Sequence, residues 1–274
     1  VITTVSESYA REILTPEYGE GLETLLQSRK DRLFGIVNGL DYEQFDPGTD
    51  RVLAVNYDVN AVEKRAENKI ALQRQAGLPV NPDVPLIGMA GRLVEQKGID
   101  ITEQALNSLL GESDVQFVLQ GAGSPVYQEL MQDFENRHQD KARMFLEYDL
   151  ALAHRIFAGC DIFLVPSRFE PCGLTPLIAM RYGAIPVVRR TGGLGETIND
   201  YVSNEQNGGI GFIFDKYDAG ELLAAVKRAL NVLADKQEWH RLVVRAMNAD
   251  YSWNASLLKY LALYESARSM TIHP

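Results

Sequence analysis

Glu170 and Cys172 stand where an apolar run, residues 162–165, gives way to Pro166 and the stretch SRFEPCGLTP (167–176). A carboxylate and a thiol at the mouth of a buried strand could both do chemistry. If a helix starts near Leu174, the N–H groups of Gly173, Leu174 and Thr175 are offered to an anion, which the helix dipole favours. Glu170 beside them could accept hydrogen bonds from the hydroxyls of a bound sugar. A helix N-terminus would also lower the pKa of Cys172. A thiol nucleophile needs a base or a strongly electropositive pocket, however, and no histidine lies close in sequence. A small packing thiol is the expectation for Cys172, and Pro171-Cys172-Gly173 reads equally well as a plain turn.

Arg92 and Lys97 sit five positions apart in GRLVEQKG (91–98). On a loop between a strand and a helix they suit a diphosphate, Arg as a bidentate fork and Lys as a point charge. The alternative is a pair of solvated cations with Glu95 as local partner. Gly121-Ala122-Gly123 follows another apolar run and would let a ligand approach the backbone. The full GxGxxG pattern is absent, since position 126 is Val. Thr191-Gly192-Gly193, after Arg189 and Arg190, could form a nest of amides for an anion, or a tight turn. Tyr148 could stack on a base. His154, Trp239 and Trp253 read as helix-face and packing residues.

The elements that must position these loops are legible from about residue 84. Short apolar runs at 84–91, 115–123, 142–148, 161–167, 185–191 and 210–215 alternate with helical patterns at 97–110, 125–138, 151–160, 174–183 and 194–200. Continuous apolar strands separated by helices mean parallel pairing with both sheet faces covered. The expected fold is therefore α/β, a Rossmann-like doubly wound sheet. Ligands bind such sheets at the carboxyl ends of the strands, which is where all four loops lie. The patterns after residue 215 are helical, and residues 61–78 read as an amphipathic helix.

The totals narrow the field. The chain has 274 residues, a formal charge of −10, and 46% apolar and 23% charged residues, as in an ordinary globular protein. Nucleic-acid binding would call for a basic patch or stripe. No apolar run has the length of a membrane span. The two cysteines and four histidines show no CxxC or HExxH spacing, so no zinc site is expected. The composition suits a reducing cytosol.

In this order, GRLVEQKGID (91–100), LQGAGSPVYQ (119–128), VPSRFEPCGLT (165–175) and VRRTGGLGETI (188–198) resemble the bacterial glycogen synthases and plant starch synthases. TVSESYAREILTPEYGEGLE (4–23), GIVNGLDYEQFDP (35–47) and AENKIALQ (66–73) extend the likeness over nearly the whole chain. These are retaining glucosyltransferases with the GT-B fold, two Rossmann-like domains facing across a cleft. The resemblance implies transfer of glucose from ADP-glucose to the non-reducing end of an α-1,4-glucan, with no other cofactor and no metal. It implies that Arg92 and Lys97 hold the diphosphate and stabilise the leaving nucleotide. Glu170 would lie at the donor glucose, as charge stabiliser or as sugar clamp. Cys172, Gly173, Leu174 and Thr175 would surround sugar and phosphates. Gly121, Gly123 and Tyr148 would lie near the nucleoside, and Thr191, Gly192 and Gly193 at the cleft. In the mechanism usually proposed for such enzymes the leaving phosphate assists the incoming hydroxyl, so no protein nucleophile is needed.

Two departures stand out. Many relatives carry a second glutamate eight positions after the first, and Ile178 stands there. The N-terminal donor loop and acceptor cleft have no counterpart. The expectation is therefore a C-terminal donor-binding half: residues 1–40 the tail of an otherwise missing N-terminal domain, 41–60 a linker, 61–251 the nucleotide-sugar domain, and 252–274 a crossover helix and tail. Such a half would be inactive alone. The alternatives are an ADP or ADP-glucose binding module without transfer activity, and a related transferase using another nucleotide sugar. The implied location is the bacterial cytoplasm, or the plastid for a plant protein.

Overall fold

The computed structural model describes residues 1–202 and 208–272. The chain opens with β1 (Ile2–Thr4), α1 (Glu7–Glu12), α2 (Glu23–Gln27) and β2 (Leu33–Gly35), and β1 pairs in parallel with β2. Residues 41–60 contain no helix or strand. After α3 (Arg65–Ala76) the alternation begins: β3 (Leu86–Ala90), α4 (Ile99–Glu112), β4 (Gln116–Gln120), α5 (Pro125–Arg137), β5 (Ala142–Phe145), α6 (Leu150–Gly159) and β6 (Ile162–Val165). It continues through α7 (Leu174–Arg181), β7 (Ile185–Arg189), α8 (Gly192–Thr197) and β8 (Phe212–Phe214). Helices α9 (Ala219–Ala234), α10 (Lys236–Met247) and α11 (Trp253–Ile272) close the chain.

The six strands β3 to β8 form one parallel sheet in the order β5-β4-β3-β6-β7-β8. This is the doubly wound order expected, with its switch between β3 and β6. Phe117, Phe163, Phe212, Leu86 and Ile87 are fully buried within it. Helix starts follow local chemistry: Asp149, Asp218 and Asp235 cap the first amides of α6, α9 and α10. Pro125 occupies the first turn of α5.

The buried side of α3 carries Leu72 and Ala76 in the core, but the other residues on it are polar where an apolar stripe is expected. Arg65 donates to the carbonyls of Tyr182 and Cys160, at 2.9 and 2.6 Å. Lys69 pairs with Asp161 at 2.7 Å, and Gln73 donates to Gln116 at 2.8 Å. These side chains satisfy polar groups mostly at the amino-terminal ends of the strands, the end of the sheet away from the site loops. Asp161 also accepts the Leu86 amide at 2.8 Å, so one carboxylate ties the starts of β3 and β6 to α3. Asp161→Ala leaves a buried ammonium without its counter-ion and lowers unfolding free energy by about 3 kcal/mol. Urea denaturation checks this, and a change below about 0.5 kcal/mol would contradict it.

The first and last elements close over the domain. Leu40 accepts the Trp253 amide at 3.2 Å and donates to Tyr251 at 2.7 Å. Ser256 donates to the Val37 carbonyl at 2.7 Å. Helix α11 thereby returns to residues 33–40, with Leu257, Leu258, Leu261 and Tyr264 exposed. Among the described residues no helix is long and apolar enough to cross a membrane.

Candidate functional site

The loops after β3 and β6 flank the sheet's switch point, and they meet. Lys97 Nζ donates to Glu170 Oε2 at 2.6 Å, and Ser167 Oγ donates to the same oxygen at 2.9 Å. Both members of the pair are mostly buried, at 18% and 11% side-chain exposure, so this is a desolvated ion pair rather than a surface one. Two glycines allow it. Gly98 has φ 73°, and a Cβ there would stand 2.3 Å from the Pro166 carbonyl. No other residue lets the turn after Lys97 lie against the exit of β6. Gly173 has φ 82°, and its Cβ would meet Leu194 at 2.5 Å. It starts α7 directly behind the Glu170 turn.

Arg92 is exposed and lies on the same loop. Its Nη2 donates to Gln96 Oε1 at 3.3 Å, while Gln96 Nε2 donates to the Phe169 carbonyl at 3.1 Å. The Arg168 amide donates to the Gln96 carbonyl at 2.8 Å. Gln96 therefore stitches the Arg92 loop to the Glu170 loop. Its spacing of four from Arg92 was the available sequence signal. Ser167, which holds Glu170, carried none beyond adjacency.

The amides of Leu174 and Thr175 have no acceptor among the described residues, the ordinary state of a helix first turn. Leu174 turns its side chain outward, and Thr175 faces a cavity of about 260 Å³. That cavity is also lined by Gly91, Arg92, Tyr148, His154 and Ile178. Tyr148 stands at its mouth, 78% exposed. Gly121 and Gly123 are placed differently. A Cβ on Gly121 would lie 2.0 Å from the Gly91 carbonyl, and one on Gly123 would lie 2.3 Å from the Leu93 carbonyl. Their smallness lets the β3 and β4 loops touch, and Ala122 between them lines the cavity.

The Thr191-Gly192-Gly193 turn is not an open anion nest. Gly192 N–H donates to Glu12 Oε1 at 2.8 Å, Thr191 Oγ1 donates to it at 3.3 Å, and Gly193 N–H donates to the Glu170 carbonyl at 3.0 Å. The Gly192 amide is taken by α1, which docks here (Ser6 Oγ also donates to the Pro171 carbonyl at 2.7 Å), and the Gly193 amide by the Glu170 turn. These bonds pull Gly192 and Gly193 into α8, which starts two residues earlier than the sequence pattern placed it. Glu12 was missed because nothing local links it to residues 180 positions away.

Burial pushes the Cys172 thiol above its usual range, and the carboxylates of Glu170 and Glu196 add to this against the Asn38 amide. Cys172 is thus held as a thiol, a poor nucleophile. Cys160 is fully buried and pushed up to about 12. No cluster of three or more His, Cys, Asp or Glu able to hold a metal occurs among the described residues.

Residues 73–241 match the family of group 1 glycosyl transferases, and residues 1–28 match the starch synthase catalytic domain. The chain is 48% identical over 264 residues to the glycogen synthase of Kosmotoga olearia, covering 96% of this chain and 55% of that one. It is 50% identical over 268 residues to the glycogen synthase of Moorella thermoacetica, covering 97% and 54%. The catalytic domain of starch synthase IV from Arabidopsis thaliana, solved bound to ADP and acarbose, superposes with a TM-score of 0.92 at 38% identity. That match covers 98% of this chain and 56% of the other. The chain spans about half the length of the curated relatives it matches.

Proposed function

The chain belongs to the group 1 glycosyltransferases, within their glycogen and starch synthase family, and from that premise we propose that it is the donor-binding half of an enzyme transferring glucose from ADP-glucose to the non-reducing end of an α-1,4-glucan with retention. The observation that carries this reading is the Lys97–Glu170–Ser167 cluster beside the open first turn of α7. Departure of a nucleoside diphosphate develops negative charge on its phosphates. Fixed cations and helix amides aimed at that charge stabilise it without reorganising. Lys97 and Arg92 supply the cations, and Leu174 and Thr175 the amides. Lys97 stands between Glu170 and the phosphates, which lets a carboxylate sit near an anionic leaving group. The nucleoside lies in the adjoining cavity, under Tyr148.

On this reading no protein nucleophile takes part, and the thiol of Cys172 is a packing group. The acceptor and the rest of the cleft come from an N-terminal half like that of the relatives. The exposed apolar residues of α11, with the groove of about 630 Å³ between α1, β2 and α11, give that half a surface to cover. Joined to such a half, from the Kosmotoga olearia relative for instance, the chain forms the completed protein.

Calorimetric titration of the chain with ADP tests the site. Binding is expected, and Arg92→Ala is expected to weaken it about tenfold through loss of a charged hydrogen-bonding partner. Failure of ADP to bind, or indifference to Arg92→Ala, would remove the site assignment. A glucose-transfer assay on glycogen is expected to read activity from the completed protein and none from the chain alone.

A further inference from the structure

The cavity next to α7 has a directed polar group in its wall besides the groups assigned to the phosphates. Thr175 marks the phosphate end. The backbone of Tyr182, just past the end of α7, lies about 10 Å further along the helix axis, and its side chain leans back toward the cavity. His154 is tethered beside Tyr182: its Nδ1 is 2.7 Å from Asp50 Oδ2, and the Tyr182 hydroxyl donates to the same oxygen at 2.6 Å. Rings of Phe45, Phe157 and Tyr182 surround the imidazole, with centroids 5.4, 6.5 and 5.7 Å away. A diphosphate on the first turn of α7 leaves the rest of the cavity to the base, and His154 stands in the cavity wall.

The tautomer follows from the partners. The other oxygen of Asp50 accepts the Val52 amide at 3.0 Å. Burial opposes ionisation of Asp50, but hydrogen bonds from Tyr182, Val52 and His154 hold its carboxyl below the usual range. Ionised, it can only accept. Nδ1 of a neutral His154 must then carry the proton, and Nε2 is left as an acceptor. Nε2 has no partner among the described residues and is not sealed from solvent, and the side chain lines the cavity. The neighbouring Gln120 commits its amide N–H to the Glu147 carbonyl at 2.6 Å.

We propose that His154 reads the 6-position of a bound purine, accepting a hydrogen bond from a 6-amino group through Nε2, and that Asp50 is the positioning residue that sets the ring for it. The site thereby selects adenine over a 6-oxopurine, whose 6-oxygen would face the Nε2 lone pair. This rests on the nucleotide-binding reading above.

The test compares ADP with inosine diphosphate, which differs at the 6-position and in the N1 proton, by calorimetry at about pH 8.5, above the ordinary imidazole range. The unaltered chain is expected to prefer ADP about tenfold or more. His154→Ala is expected to bring the two within about twofold by weakening ADP, while pyrophosphate binding stays unchanged. Asp50→Asn gives an independent arm. The Val52 amide keeps the new side-chain oxygen, so the amide NH2 faces His154. Nδ1 must then accept, the proton moves to Nε2, and preference shifts toward inosine diphosphate. This arm carries the test should His154→Ala fail to fold. A preference that persists in a folded His154→Ala or Asp50→Asn overturns the proposal and points to another wall group such as Gln120. Absence of ADP binding, or its indifference to Arg92→Ala, sinks the nucleotide reading itself, so the two failures are distinguishable.

Discussion

Lys97→Ala in the completed protein is expected to lower kcat by about 10²–10³-fold, the scale on which removal of one preorganised donor to a developing anion is felt. The side chain is mostly buried, so its charge acts where water screens little. It touches both halves of the reaction as proposed, Glu170 on the sugar side and the diphosphate on the other. Removing it takes away the cation that faces the leaving group and leaves the Glu170 carboxylate facing the phosphates with, among the described residues, Ser167 as its side-chain partner. ADP affinity should fall with it, by about tenfold. Lys97→Arg restores the charge but not the point geometry, and recovery should be partial. Comparing Tm values of the variants separates loss of function from loss of fold. A kcat within about threefold of the parent, in a protein that still folds, would mean the ion pair is structural and the diphosphate is held elsewhere.

That cluster also shows where sequence reading succeeds and stops. The strands were legible because both faces of a parallel sheet are covered, so Leu86–Ala90 and Ile162–Val165 had to be apolar throughout. The loops at their carboxyl ends followed from topology, and with them Arg92, Lys97 and Glu170. Apolar patterning overran strand ends: residues 142–148 read as one run, but β5 ends at Phe145, where Gly121 takes the last carbonyl. What failed was contact order. Glu12 fills the amide of Gly192, and Asp50 fixes His154 from 104 positions away, and neither pairing has a local signature. The helical periodicity of α3 was visible, but its buried face mixes apolar Leu72 and Ala76 with Arg65, Asn68, Lys69 and Gln73, and the polar members are held by distant carbonyls and side chains that no local pattern shows. Glycines at 121 and 123 drew attention as ligand contacts. Their steric reason is a loop that crosses from β3, again invisible locally.

Glu170→Gln is expected to separate transfer from nucleotide binding, in contrast to Lys97→Ala. Glu170 Oε2 takes both protein donors, Lys97 and Ser167, while Oε1 has no protein partner among the described residues. That leaves Oε1 as the acceptor for a hydroxyl of the donor glucose. An amide cannot keep both arrangements. With its NH2 toward Lys97, two donors face each other in a mostly buried site. With its NH2 toward the sugar, the acceptor is lost. Either way the negative charge near the reacting carbon disappears, and kcat of the completed protein should fall about 10²–10³-fold. Lys97, freed from its counter-ion, becomes wholly available to the phosphates, so ADP should bind as tightly as before or more tightly. A sugar clamp without charge stabilisation would instead raise KM for ADP-glucose with kcat nearly intact, the signature of uniform binding lost. Weakened ADP binding would show that Glu170 orients Lys97 for the phosphates rather than drawing it away.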